Sequence, residues 1–151
     1  MMNFTLELNG EEFSELRIGE RQFKAFSGRG DYRNRRRFQC VASGPIPTGR
    51  YFIVDRPSGG RLGPVVDYVT GKDEWFALFA DDERVDDSVF CAEVERGRFR
   101  LHPKGPRGIS ERCVTLEHRE DFSAVRSMLL RAKKFEIPGA AFGAYGTLVV
   151  R

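Results

Sequence analysis

The chain has 151 residues, 40% of them hydrophobic and 31% charged. That is the balance of one globular domain, 1–151, large enough to bury a core, and it excludes a low-complexity or disordered chain. No apolar run approaches the ~18 residues of a membrane-spanning helix, Met1 to Leu8 lacks the basic start and apolar stretch of a secretory signal, and the net charge of +3 is modest.

In chain order, Phe4 to Leu8 alternates apolar and polar residues, and Asn9-Gly10 is a hairpin turn signal. Residues 15–18 and 22–26 alternate again, which predicts an opening meander. Ser27 to Arg37 is polar, contains glycine and is basic, so it reads as an exposed loop. Five arginines (Arg29, Arg33, Arg35, Arg36 and Arg37) fall within nine residues, interleaved with Tyr32 and Phe38. Such a patch is a solvated loop, a phosphate-gripping surface or a set of carboxylate partners. Gly44-Pro45-Ile46-Pro47-Thr48-Gly49 imposes turns and extended backbone. Residues 50–54 follow as a β-branched and aromatic strand. Residues 56–64 form a second long loop.

Residues 74–79 are apolar on both faces, as a central strand requires. Residues 81–87 are an acidic connection without Ca²⁺-loop spacing. Residues 98–102 form a strand ending at Pro103, and extended structure resumes at residues 113–116. One helix follows. Glu120-Asp121 open it, Phe122, Val125, Met128, Leu129 and Ala132 share a face, and Pro138-Gly139 close it. Residues 145–151 are a last strand. The fold class is mainly β, a sandwich or barrel, with one α-helix near the C-terminus.

The chemistry concentrates between residues 99 and 116. One of two histidines, His102, and one of three cysteines, Cys113, flank a Gly/Pro-rich loop. A cysteine that attacks a carbonyl works as a thiolate, and a nearby imidazole is the usual way to obtain one. Antiparallel pairing of the flanking strands would bring the two together. His118, the rival base, lies more than ~15 Å from Cys113 along an extended strand, so His102 is favoured and His118 reads as a surface or capping residue. The odd cysteine count argues against a disulfide framework, and Cys40 and Cys91 read as small apolar packing groups. No His/Cys cluster has zinc-ligand spacing, so no metal or other cofactor is expected.

His102-Pro103 followed by Gly108-Ile109-Ser110-Glu111-Arg112-Cys113-Val114-Thr115 resembles the signature of the L,D-transpeptidases, cysteine enzymes of bacterial peptidoglycan. The short spacer resembles the branch delivered as antibacterial toxins by type VI secretion. Residues 43–54, with Pro45-Ile46-Pro47-Thr48-Gly49-Arg50-Tyr51, and the closing Tyr145 to Arg151 support that branch. The likeness runs in blocks from about Phe4 to Arg151. It implies an L,D-transpeptidase-type fold and attack by Cys113 on peptidoglycan peptide stems. In that reading His102 is the base and Ser110 orients the loop. Gly108 and Arg112 shape the oxyanion loop, and Tyr51 and Arg56 are substrate contacts. It further implies synthesis in the bacterial cytoplasm, type VI secretion, action in a target-cell periplasm and a cognate immunity protein.

Arg112 stands where the family carries glycine. A catalytically impaired wall-binding module is therefore one alternative. A basic nucleic-acid-binding β domain using the arginine patch is the other.

Overall fold

The alternating runs become strands in the computed structural model, which describes residues 1–57, 74–82, 85–91, 94–105 and 112–151. In chain order these are β1 (Met2–Leu6), β2 (Ser14–Ile18), β3 (Arg21–Phe26), β4 (Gly49–Asp55), β5 (Phe76–Ala80), β6 (Ser88–Cys91) and β7 (Val94–Gly97). Then come β8 (Arg100–Pro103), β9 (Val114–Leu116), helix α1 (Arg119–Arg131), β10 (Phe135–Glu136), β11 (Gly143–Ala144) and β12 (Gly146–Val150). Eight strands close a barrel in the order β1-β12-β4-β5-β8-β9-β3-β2. Closure removes the unpaired edges that an open sheet would expose. Pairing is antiparallel except for β1 with β12 and β8 with β9.

β4 reads as an unbroken apolar run because both its faces are covered. Tyr51 and Ile53 join the main core with Phe4, Leu16, Leu78 and Leu101. Phe52 and Val54 join a second cluster with Ala77, Phe79, Ile137 and Ala144. Residues 135–144, with β10 and β11, therefore cover the opposite face of β4 and β5. Helix α1 buries Phe122, Val125 and Leu129 in the main core, the stripe that 3.6-residue periodicity predicts. It opens one residue before the predicted start and ends at Arg131, ahead of Pro138, where β10 takes over.

β1 and β2 are joined by residues 7–13 rather than by a two-residue turn. Gly10 supplies a left-handed φ of 75° there. The basic loop is pinned from inside. Asn34, fully buried, accepts a hydrogen bond from the Ser27 amide at 2.9 Å and donates to Glu11 O at 2.9 Å. Gly44 packs so tightly on this loop that a Cβ would fall 1.8 Å from the Phe38 carbonyl oxygen.

Cys40 and Cys91 are not separate packing groups: they form a disulfide across a sequence separation of 51. The expectation failed because the barrel brings the basic loop onto the β6–β7 hairpin, a proximity no local spacing encodes. Arg96 on β7, 2% exposed, reinforces the same junction. Its guanidinium donates to the carbonyls of Gln39, Gly44 and Pro45 and lies 5.5 Å from the Phe99 ring centroid.

Candidate active site

β8 and β9 run parallel, not antiparallel as expected, with Leu101 opposite Val114 and His102 opposite Thr115. The strands have four and three residues. Strands this short put the end of β8 near the start of β9, so a parallel pairing does not need the crossover of a dozen or more residues that longer strands require. In this register the position ahead of Leu101 and Val114 places Arg100 beside Cys113. Side chains alternate across the sheet, so Leu101, Val114 and Leu116 point into the core. His102, Thr115, Arg100 and Cys113 share the opposite face. Cys113 is then a diagonal neighbour of His102, a relation that separates Cα atoms by about 7–8 Å. The parallel register thus puts both residues on one face of the sheet, where a hairpin had been expected to do so.

His102 is 5% exposed. Its Nδ1 lies 2.7 Å from the Pro103 carbonyl oxygen. A carbonyl only accepts, so Nδ1 carries the proton and donates, which leaves a lone pair on Nε2. Nε2 lies 3.5 Å from Thr115 Oγ1. The imidazole stacks on Trp75, with ring centroids 4.3 Å apart and planes inclined by 20°.

Cys113 is the one free cysteine and is half-buried. Burial raises the thiol above its ordinary range. A backbone hydrogen bond from Arg100 and the charges of Arg100 and Arg112 pull the other way without cancelling burial. The thiol form is thus favoured over the thiolate. Arg100 is itself held by Asp87 in a bidentate pair, both contacts at 2.8 Å. Asp87, read from sequence as part of a solvated acidic connection, therefore braces the strand beside the thiol.

Arg112 is half-buried and lies near enough to Arg96 for its charge to lower the Arg96 pKa, second to the effect of burial. Ser110 and Gly108 lie outside the described residues. Tyr51 is a core residue, 1% exposed, whose hydroxyl donates to Pro47 O at 2.7 Å. Burial is the main reason its phenol is raised far above the ordinary range. Arg56 follows β4, and its guanidinium carbon lies 5.9 Å from the Trp75 ring centroid. That places it next to the stacked base. His118 is exposed and occupies the N-cap position of α1 without a side-chain cap bond.

In the basic loop Arg29, Arg35, Arg36 and Arg37 are exposed, but the aromatic faces are already in use. Tyr32 packs on Phe38 at 4.7 Å between centroids, and Arg33 lies 3.8 Å from the Phe26 centroid. That leaves little for stacking nucleobases. Among the described residues no group of three or more His, Cys, Asp or Glu side chains is placed to hold a metal ion, and no helix is long and apolar enough to cross a membrane.

Sequence reasoning singled out His102 and Cys113 but not Trp75, Arg100 or Asp87. The strand register would have found Trp75, since Asp55 opposes Phe76 and Phe76 opposes Leu101. One step along, the row reads Arg56, Trp75, His102, Thr115. The family model for the Tlde1 domain matches residues 21–140. Among curated proteins none matches the chain.

Proposed function

This chain belongs to the Tlde1 domain family, a family of type VI secretion effectors, and from that premise we propose that it is a cysteine-dependent peptidoglycan-modifying toxin acting on tetrapeptide stems. The observation that carries the reading is the arrangement on β8 and β9. His102, its Nδ1 proton committed to Pro103 O, presents Nε2 on the face that carries the half-buried Cys113.

In this mechanism His102 Nε2 takes the Cys113 proton as sulfur attacks the carbonyl that follows the L-centre of diaminopimelate. Backbone N–H groups near Arg112 and Cys113 hold the oxyanion. The imidazolium returns the proton to the departing D-alanine amine, leaving a thioester. Water then gives carboxypeptidase action, and a free D-amino acid gives exchange. Either outcome removes or masks the stem end used for cross-linking. Arg56, beside Trp75, pairs a stem carboxylate.

Type VI delivery brings such a protein to the target periplasm, and an immunity protein that plugs the Cys113 cleft protects the producer. The Cys40–Cys91 disulfide suits an oxidising compartment. Incubation of the purified protein with peptidoglycan, followed by mass spectrometry of muropeptides, tests the reading. Loss or replacement of the terminal D-alanine, abolished by Cys113→Ala, is expected. Unchanged muropeptides would overturn it.

A further inference from the structure

We propose that Trp75 is a positioning residue for this site: its indole, stacked on His102, fixes the plane of the base and favours the imidazolium that forms as Cys113 gives up its proton. The inference rests on the enzyme reading above and adds a residue to it.

Three observations carry it. The rings are close and nearly parallel, at 4.3 Å and 20°, well inside the ~6 Å over which an aromatic face attracts a cation. His102 is 5% exposed, so little water stands ready to stabilise its charge, and a neighbouring π face counts for more than it would at the surface. The edge of the ring is held by the Nδ1 bond to Pro103 O and by the Nε2 contact with Thr115 Oγ1 at 3.5 Å. The stack acts on the face of the ring, fixing its plane in a way that edge contacts do not, and so aims Nε2.

Among the described residues, the nearby charges oppose the effect or are engaged elsewhere. Arg56 sits 5.9 Å from the indole centroid, and Arg100 and Arg112 act on Cys113. All three are cations that oppose charging His102. Asp87 is engaged by Arg100, Glu74 by Arg119 and Glu117 by Lys104. The indole face, packed directly against the ring, favours its cationic form.

The test is the rate of Cys113 alkylation by iodoacetamide across pH, because it reads the thiol–base couple without needing peptidoglycan. Trp75 is the only tryptophan of the chain, so growth on fluorinated tryptophans weakens the π face at this position alone while keeping its shape. Each added fluorine is expected to move the midpoint of the alkylation profile to higher pH by a few tenths of a unit. Trp75→Leu is expected to move it by about one unit and Trp75→Phe by less. A midpoint that stays in place through the fluorinated series overturns the proposal. His102→Gln separates the two levels. If His102→Gln moves the midpoint and the fluorinated series does not, the base survives and the role of Trp75 falls. If neither moves it, the His102–Cys113 reading falls and takes the proposal with it.

Discussion

Breaking the Cys40–Cys91 bridge should cost stability in proportion to the chain it closes. The two cysteines are 51 residues apart in sequence. Releasing a loop of that size gives the denatured chain entropy worth about 4 kcal/mol. For a domain of this length each kcal/mol moves Tm by about 2–4 °C, so Cys40→Ala with Cys91→Ala should melt about 8–16 °C below the parent. Arg96 ties the same loop to the same hairpin, but only in the folded state, so it does not substitute for the covalent link. The assay is thermal unfolding of parent and double variant in the absence of reductant. Intact-mass counting of alkylated thiols should find one reactive cysteine in the unreduced parent after unfolding, and three after reduction. Three free thiols without reductant, or a Tm loss below about 2 °C, would refute the reasoning.

Arg96→Met keeps most of the buried volume but leaves the carbonyls of Gln39, Gly44 and Pro45 without their donor. It should cost about 3 kcal/mol, read as a lower urea midpoint at unchanged slope. Burial pushes the Asp55 carboxyl up, but hydrogen bonds from Lys134 and Tyr145 bring it below the ordinary range. A lowered folded pKa stabilises above the unfolded value of about 4 and loses that contribution as pH falls through the folded value. Asp55→Asn should therefore melt below the parent at pH 7, with the gap closing under acid, and a gap independent of pH would contradict the electrostatic origin. Arg112→Gly should turn over stems as fast as the parent or faster, since it removes bulk beside the backbone N–H groups proposed to hold the oxyanion and a cation near Arg96. A large drop in muropeptide turnover would show that Arg112 is recruited for the reaction.

What could be read from the sequence was what local periodicity encodes. Period-two alternation gave β1 to β3, the doubly apolar run gave β5, and the Phe122, Val125, Leu129 stripe gave α1. His102 and Cys113 stood out because a Gly/Pro-rich loop separates two extended runs. Pairing was not legible. A one-residue change of register sends every side chain of a strand to the other face, so Trp75 could not be set against His102 without knowing that Phe76 opposes Leu101. The parallel return of β9 was hidden because strands of four and three residues carry no directional signal. The disulfide was hidden because the odd count of cysteines obscured a bonded pair and one free thiol, and the bridge spans 51 residues between a loop and the β6–β7 hairpin. Tyr51 lay in a family-like block and was expected to be a substrate contact, but β4 is covered on both faces, and Tyr51 is a core residue.

The most direct test of the central claim is to catch the thioester. The protein is mixed with a tetrapeptide stem, quenched in acid and digested, and the peptide containing Cys113 is weighed. The account predicts a mass gain equal to the stem without its terminal D-alanine. The gain should sit on Cys113, be absent from Cys113→Ala and accumulate more slowly in His102→Gln. Stem turnover that persists in Cys113→Ala, or an adduct on any other residue, would contradict it.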